Sequence, residues 1–463
     1  MSRLLVKNIG TLATPVGSAA KSGAAQGGIK VLHDAWILAE DGVIRDVGTS
    51  ACPGTAHADE PCSDVGTGAC PETAHADEPC SDAGTGACPE AVYADAAMSE
   101  GGSGTEVIDA GGCLVTPGLV DAHTHLIFGG WRENELSLKL HGASYLEIQN
   151  AGGGIQSTTN ATRNASEEEL YAKASKALDE MMSLGTTTVE AKSGYGLTTE
   201  QELKLLRVIK ALGDSHPMDV VPTFMGAHLV PAEYKGDSEG YVSLVCDEMI
   251  PAVAAQGIAK FCDVFCEADT FTADESRRIL EAGKRYGLRP KIHADEIKPI
   301  GGSELAGEIG AISAEHLIVC QPSGIESMAK GGVIACLLPA TSFNLGSVFA
   351  PARDMINAGV PVAMASDFNP GSCPCLNLQF VINLGCLKYK MTPEEVLTAV
   401  TLNAAAAIDM ADKVGTVEPG KQADLVIWDA PNLAYICYRV GSNLAKTVIK
   451  RGVIEFDKRE IVR

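Results

Sequence analysis

The sequence predicts an α/β protein: a (β/α)8 TIM barrel with a small β-sandwich domain built from both chain ends. Three observations support this prediction. Between residues 113 and 410, eight short apolar runs alternate with helical patterns, which matches the strand number and size of such a barrel. Both chain ends are rich in short strand patterns. Several apolar runs of the middle end in histidine or aspartate, as strands do at the catalytic face of a barrel.

The chain of 463 residues is long enough for one large enzyme domain and a smaller second domain. Its formal net charge of −23 argues against nucleic acid or anionic lipid as the main partner, because both select basic surfaces. A small anionic substrate is still compatible with this charge, since one local arginine can bind a carboxylate.

Two further features of the composition bear on location. No apolar run approaches the roughly 20 residues needed to span a bilayer, and the N-terminus lacks the apolar core and cleavage site of a secretory signal. Fifteen scattered cysteines fit reduced thiols better than a disulfide framework. We therefore expect a cytoplasmic protein.

The two chain ends are predicted to form the small domain together. We assign residues 1–50 and 411–463 to it, with 105–112 as a returning strand. The strand patterns, separated by glycine and aspartate turns, lie at 3–8, 29–39, 43–48, 423–429, 445–452 and 453–456.

Residues 51–104 are three copies of an 18-residue repeat, with ten acidic residues and no lysine or arginine. A segment with so few large apolar side chains cannot offset its ordering entropy, so we predict a disordered or loosely held insertion in a surface connection. The alternative is soft-metal binding through His57, His75 and five cysteines. The cysteine spacing contains no CxxC knuckle, which argues against that alternative.

The tetrapeptide HADE occurs three times, at 57–60, 75–78 and 293–296. The first two copies belong to the repeat and are followed by Pro-Cys. The third follows an apolar strand pattern and precedes a helical one, so we assign the chemistry to His293 and Glu296.

The middle of the chain, 113–410, is predicted to be the catalytic barrel. Helix starts are indicated by Ser166, Thr272 and Thr392, each followed three residues later by glutamate, which is the capping-box pattern. The predicted barrel strands are 118–126, 186–194, 219–228, 261–267, 289–295, 311–317, 332–339 and 360–367.

Six ionisable residues lie at the ends of five of these strands. His123 and His125 are two residues apart on the first strand, so both imidazoles can face the barrel mouth. The other four are His228 on the third strand, His293 on the fifth, His316 on the sixth and Asp367 on the eighth.

We take His123, His125, His293 and Asp367 as candidate ligands of one metal ion. Imidazole and carboxylate ligands without a thiolate suit zinc or iron. A catalytic site keeps one coordination position for water and lowers its pKa towards about 7. The alternatives are satisfied polar histidines and, for Asp367, a helix N-cap.

The stretch "PGLVDAHTHLIFGGWRENE" (117–135) resembles the first-strand motif of the amidohydrolase superfamily. Seven further motifs make the chain similar to the imidazolonepropionase family within it. The resemblance covers nearly everything except 51–104. The seven motifs are "GASYLEI" (142–148), "AGGGI" (151–155), "KSGYGL" (192–197), "GAHLVP" (226–231), "IHADE" (292–296), "AEHL" (314–317) and "SDFNPGS" (366–372).

The resemblance implies hydrolysis of the cyclic amide of 4-imidazolone-5-propanoate to N-formimidoyl-L-glutamate, a step of histidine degradation. It implies Glu296 as a catalytic acid or base that also contacts the substrate. His316 would steer or deprotonate the attacking water, and His228 would contact the substrate and stabilise the oxyanion. Whether Glu296 or His316 is the general base stays open, as does zinc versus iron.

The resemblance also implies a substrate-binding set and a homodimer with one metal ion per subunit. Arg132 would bind the propanoate with two hydrogen bonds. The remaining residues expected against the ring and tail of the substrate are Tyr145, Tyr195, Asn369, Gly371 and Ser372.

Two other functions are compatible with part of this pattern. A cytosine- or guanine-type deaminase uses a similar ligand set, but its substrate has no carboxylate for Arg132. A two-metal site would need a bridging lysine, whereas the fourth strand offers Glu267 instead. A non-catalytic metal-binding scaffold, with the acidic repeat as an interaction tail, would bind metal without turnover.

Overall fold

The computed structural model describes residues 2–49, 105–142 and 153–458 of the chain. The repeat at 51–104, two of the three HADE copies and Tyr145 lie outside the described residues, so the expectations about them stay predictions. Among the helices in the described part of the chain, none is long and apolar enough to cross a membrane.

The described residues form sixteen strands, numbered in chain order. Strands β1 to β5 are Arg3–Thr14, Lys30–Glu40, Val43–Thr49, Thr105–Asp109 and Leu114–Pro117. Strands β6 to β13 are Leu119–Asp121, Thr186–Lys192, Asp219–Ala227, Phe261–Cys266, Arg289–Ala294, Ser313–His316, Ile334–Leu337 and Val362–Met364. Strands β14 to β16 are Leu425–Trp428, Ala445–Lys450 and Val453–Asp457.

The α-helices of the described residues are also numbered in chain order. Helices α1 to α8 are Leu136–Leu140, Gly154–Asn164, Glu167–Ser183, Thr199–Ser215, Ser238–Leu244, Ile250–Gln256, Ala273–Arg285 and Gly302–Ile309. Helices α9 to α15 are Pro322–Gly331, Pro339–Leu345, Ala352–Asn357, Leu378–Leu387, Pro393–Ala399, Leu402–Ala407 and Leu433–Tyr438. Short 3-10 turns occur at Gly23–Gly27, Glu133–Glu135 and Ala232–Tyr234, and a π turn at Val245–Met249.

Strands from both chain ends form one sheet, which confirms the predicted domain of both ends. Its order is β16, β15, β14, β5, β1, β2 and β3, and β4 pairs with β1 in parallel. Val6 and Ile9 of β1 are fully buried in the same apolar cluster as Ile37 and Leu425. Strand β5 also lies in this sheet, and the first barrel strand follows at Leu119–Asp121, within the predicted strand 118–126.

The second eight-stranded sheet is the predicted barrel. Its strands follow chain order from β6 to β13, and all neighbours pair in parallel. A parallel bridge between Thr124 and Phe368 joins the residues after β6 to those after β13 and brings the carboxyl ends of the first and last strands together. Because helices cover the outside of such a barrel and side chains fill its inside, all seven residues of β7 are buried.

The three predicted capping boxes are confirmed. The side chains of Ser166, Thr272 and Thr392 each accept the backbone N–H of the glutamate three residues later, and that glutamate accepts the backbone N–H of the cap. These bonds satisfy donors that the first turn leaves free and fix the residue at which each helix begins.

Candidate active site

The carboxyl ends of the barrel strands bring together the six ionisable residues that the sequence singled out. His123 and His125 follow β6 on either side of the bridging Thr124, and His228 directly follows β8. The other three are His293 in β10, His316 at the end of β11 and Asp367 three residues after β13. All six side chains are buried.

The four candidate metal ligands lie around one point. The Oδ1 atom of Asp367 is 3.4 Å from His123 Nε2 and 3.6 Å from His125 Nε2. His125 Nε2 is in turn 3.4 Å from His293 Nε2. The ligand atoms of His123, His293 and His316 also lie within 4.8 Å of one another, so His316 borders the same point.

Two of these imidazoles are oriented by carboxylates. Glu315 Oε2 lies 2.8 Å from His123 Nδ1, and Asp263 Oδ1 lies 3.1 Å from His293 Nδ1. A carboxylate accepts the Nδ1–H, which leaves the Nε2 lone pair directed at the common point. Among the described residues His123 Nε2 is buried with no hydrogen-bond partner, so this donor set fits one divalent metal ion.

Burial sets the charge state of the histidines. It lowers the pKa of His123, His125 and His316 well below the usual range, and it lowers that of His228 to about 3. These four imidazoles are therefore neutral, and metal binding requires the neutral form of a histidine. Burial also raises the pKa of Asp367 to about 6, against a hydrogen bond of 2.6 Å from Thr341.

Glu296 lies beside this group. Its Oε2 is 3.7 Å from His316 Nε2, and it sits in the loop between β10 and α8 rather than on the helix itself. Burial, followed by the charges of Asp367 and Glu267, raises the pKa of Glu296 to about 8. A carboxyl group with this pKa holds its proton at neutral pH and can donate it.

The backbone at the mouth adopts conformations that L-residues rarely use. His316 has φ of +67° and Asp367 has φ of +56°. Non-glycine residues in this region cost energy, and such costs concentrate where geometry serves function.

Arg132 is held by a neighbouring carboxylate. Its Nε and Nη2 donate to the two oxygens of Glu135 at 2.9 and 3.0 Å, and Glu135 also accepts the N–H of Gly154 at 2.7 Å. The other side of the guanidinium packs on Gly371, where any Cβ would collide with Nη1. Binding of a substrate carboxylate by Arg132 stays a prediction.

Tyr195 and His228 are placed by the "SGYGL" turn. Glu202 accepts the backbone N–H groups of Gly194 and Gly196 at 3.0 and 2.8 Å and so fixes the turn. The Tyr195 ring lies 5.2 Å from the His228 ring. His228 Nδ1 donates to the carbonyl of Gly194 at 2.9 Å.

This hydrogen bond changes the role open to His228. A carbonyl only accepts, so the neutral imidazole carries its proton on Nδ1 and has a lone pair on Nε2. In this state His228 can accept a hydrogen bond but cannot donate one to an oxyanion. An oxyanion role would require the imidazolium form of His228 and stays a prediction.

The loop after Asp367 is organised by Asn369. Its Oδ1 accepts the N–H groups of Gly371 and Ser372, both at 2.8 Å, and its Nδ2 donates to the Asp367 carbonyl at 2.7 Å. The Asn369 side chain is thus committed to its own loop. Contacts from this loop to a substrate stay a prediction.

Comparison with known proteins agrees with the geometry of the site. The model of the amidohydrolase family matches residues 114–454. An imidazolonepropionase from Geobacillus kaustophilus is 58% identical over 349 residues, which are 75% of this chain and 82% of that protein. One from Alkaliphilus metalliredigens is 56% identical over 359 residues, 77% of this chain and 85% of that protein.

The chain belongs to the imidazolonepropionase family of amidohydrolases. Solved structures with the same fold include an adenosine deaminase from Xanthomonas campestris with bound zinc, at a TM-score of 0.63 and 19% identity, covering 99% of this chain and 94% of that one. An atrazine chlorohydrolase from Arthrobacter aurescens in complex with zinc has a TM-score of 0.65 and 15% identity, covering 98% and 95%. At such identities the similarity is one of fold alone.

Five buried charged residues of this imidazolonepropionase-family barrel were not singled out from the sequence. The sequence contains a pattern that could have identified them, because charged residues recur at every second position in otherwise apolar strands. Opposing burial, the carboxylates of Asp263, Glu190 and Glu315 raise the pKa of Lys192. The five residues are Glu190, Lys192, Asp263, Lys291 and Glu315.

Proposed function

We propose that the chain hydrolyses the cyclic amide of 4-imidazolone-5-propanoate to N-formimidoyl-L-glutamate. The observation that carries this proposal is the buried group of His123, His125, His293 and Asp367 in a barrel whose relatives are imidazolonepropionases. Arg132, held by Glu135 above the first strand, supplies the positive charge that a propanoate requires.

The four candidate ligands would hold one divalent ion, zinc or iron. When bound, such an ion activates water and polarises a carbonyl. The orientation of His123 by Glu315 and of His293 by Asp263 supports this assignment, because each leaves Nε2 free to coordinate.

Proton transfer is assigned to Glu296 and His316. With a pKa of about 8, Glu296 carries a proton that it can give to the nitrogen leaving the opened ring. His316, whose ring nitrogen lies beside those of His123 and His293, is the candidate acceptor of a proton from the attacking water. His228 would accept a hydrogen bond from a ring N–H through its Nε2, since its Nδ1 proton is already bound to Gly194.

Substrate orientation is assigned to the mouth of the barrel. Arg132 would bind the propanoate with two parallel hydrogen bonds. Tyr195 would pack against the ring, and Tyr145 against the ring or tail. Gly371 and Ser372 would offer backbone and side-chain groups from the loop that Asn369 organises.

A deaminase of the same superfamily would use similar ligands on a neutral base. Arg132 separates the two functions, because a base without a carboxylate gains nothing from its charge. A binding scaffold without activity would take up metal and leave the substrate unchanged.

The deciding experiment adds 4-imidazolone-5-propanoate to the purified protein and follows the loss of its ultraviolet absorbance. We expect turnover that a chelator removes and that zinc or iron restores. Turnover of cytosine or guanine without turnover of the propanoate would favour the deaminase, and metal uptake without turnover would favour the scaffold.

Three broader features complete the proposal. We place the enzyme in the cytoplasm, supported by ten cysteines that are all free among the described residues. A homodimer with one metal ion per subunit is what the family resemblance implies. The barrel domain is taken as 113–410 and the end domain as 1–50, 105–112 and 411–463.

A further inference from the structure

Seven buried side chains form a continuous polar chain inside the barrel. This polar chain begins at His293 and ends at His123, both proposed metal ligands. Between them, in order, lie Asp263, Lys192, Glu190, Lys291 and Glu315.

The half of the chain near His293 is tightly bonded. Asp263 uses Oδ1 for His293 Nδ1, at 3.1 Å, and Oδ2 for Lys192 Nζ, at 2.7 Å. Lys192 Nζ also donates to Glu190 Oε1 at 2.8 Å. The hydroxyl of Thr223 donates to the same oxygen at 2.5 Å, so side chains of β7 and β8 meet at Glu190.

The half near His123 repeats this arrangement at longer distances. Lys291 Nζ lies 3.4 Å from Glu190 Oε1 and 3.3 Å from Glu315 Oε1. Glu315 accepts from Ser313 at 2.5 Å and approaches His123 Nδ1 at 2.8 Å through its other oxygen. Glu190 is therefore the residue that joins the two halves.

Strand geometry explains how the chain forms. Glu190 and Lys192 are two residues apart on β7, and Lys291 and His293 are two apart on β10. Residues at this spacing point to the same side of a strand, here the barrel interior.

Such a chain is a costly way to stabilise a fold. Buried ion pairs rarely gain more than apolar residues of the same volume would. Glu190 Oε2 is buried without a hydrogen-bond partner among the residues that the structure describes, so even the central carboxylate is incompletely satisfied. The chain is therefore better explained by what its two ends contact.

We infer that Glu190 and Lys192 are positioning residues for the metal site. They hold Asp263 and, through Lys291, Glu315, so that His293 and His123 present Nε2 to one ion at the same time. This inference rests on the proposed metal site and adds residues that do not touch the ligands themselves.

An explanation by charge and an explanation by positioning predict opposite effects of Lys192→Met on metal binding. Glu190→Gln removes a negative charge, so both explanations predict weaker binding of a cation. Lys192→Met removes a positive charge, so the local field alone would tighten binding, whereas lost positioning of Asp263 would weaken it. The double variant restores the net charge, so the field alone would restore the wild-type affinity.

The test measures the Zn²⁺ dissociation constant of each variant by competition with a chelating dye. We expect both single variants and the double variant to bind Zn²⁺ at least about tenfold more weakly than wild type, the range seen when partners of ligating histidines are removed. Thermal melting of the metal-free proteins shows that each variant is folded. Asp424→Asn is the matched control, a buried carboxylate paired with Lys450 in the end sheet, and should bind Zn²⁺ like wild type.

A double variant with wild-type Zn²⁺ affinity would overturn the inference and leave the metal site standing. Wild-type protein that binds no Zn²⁺ would overturn the metal site and the inference together. If the variants do not fold, Glu190→Asp decides the question. This variant keeps the charge and shortens the side chain by one methylene. Positioning therefore predicts weaker Zn²⁺ binding, whereas charge alone predicts the wild-type affinity.

Discussion

Two of the buried lysines each donate to two carboxylates at short distance, Lys192 in the barrel and Lys450 in the end sheet. Lys192 donates to carboxylates of two barrel strands at 2.7 and 2.8 Å. Lys450 of β15 donates to Asp219 and Asp424, both at 2.6 Å. The two groups are alike in burial, in charge and in bond length.

The two groups differ in the residues that their carboxylates contact next. Asp219 begins β8 at the amino end of the barrel, and Asp424 precedes β14, so Lys450 joins the end sheet to the barrel away from the mouth. The carboxylate beyond Lys192 instead contacts the imidazole of His293. The same pairing chemistry thus joins two domains in one region and, in our proposal, orients a candidate metal ligand in the other.

The largest effect on activity should come from substitution of the candidate metal ligands. We expect Asp367→Ala or His293→Ala to lose bound metal and to lower kcat/KM by more than about 10³-fold, since water activation and charge stabilisation both depend on the ion. Metal analysis and the ultraviolet assay measure this. A variant with full metal content and wild-type turnover would remove the site on which the comparison depends.

Glu296→Gln should have the next largest effect. Loss of the proton donor should lower kcat by about 10²- to 10⁴-fold with little change in KM. Steady-state kinetics at neutral pH measure it. If kcat is unchanged, proton donation must be assigned to another group.

The same group should determine how kcat/KM changes with pH. Because burial raises the pKa of Glu296 to about 8, the group holds its proton below that pH and loses it above. We expect kcat/KM to fall as pH rises through about 8 and expect this descending limb to be absent in Glu296→Gln. A limb that persists in the variant would belong to a different group.

Arg132→Ala should act on binding rather than on chemistry. Losing a hydrogen bond to a charged group costs about 1.5–3 kcal/mol, which corresponds to roughly a 10- to 100-fold rise in KM for the propanoate. The matched control is Arg353→Ala, an arginine that pairs with Glu395 outside the mouth and should leave KM unchanged. An unchanged KM in Arg132→Ala would favour a substrate without a carboxylate.

Lys450→Met tests the other side of the comparison. Removing one partner of a buried ion group leaves uncompensated charge and should cost about 3–5 kcal/mol in the free energy of unfolding. The folded variant should keep wild-type kcat and KM, because no atom of this group contacts the ligand histidines. Urea unfolding measures the first quantity and the absorbance assay the second. A shift in KM would show that the end sheet also shapes the mouth.

Deletion of residues 51–104 should have the smallest effect. The insertion separates β3 from β4, both in the end sheet, and its composition predicts no packed core. We expect kcat and KM close to those of the full chain. A folded deletion variant without activity would contradict the prediction.

Much of the fold could be predicted because the patterns are local. Ser166 and Glu169 form their capping box within one helical turn, and the barrel strands are short apolar runs between helices. The six ionisable residues could be singled out because parallel strands of a barrel end on one face. The early HADE copies could be set aside from their composition alone.

The partners of those residues could not be predicted in the same way. The Gly194 carbonyl accepts a hydrogen bond from His228 across 34 positions of sequence, and residue spacing does not specify such a partner. Glu135 lies three residues after Arg132, but only the structure shows that it accepts two hydrogen bonds from that side chain. The bond to Gly194 places the proton of the neutral His228 ring on Nδ1 and leaves Nε2 as an acceptor.

The sequence by itself determined the barrel, the joining of both chain ends and the candidate ligands, since each follows from periodicity, turn chemistry or motif. Only the tertiary structure decided which buried charges meet inside the barrel. Glu190 contacts Lys291 across 101 positions of sequence because the register of parallel strands, set by long-range backbone pairing and core packing, aligns their inward-facing side chains.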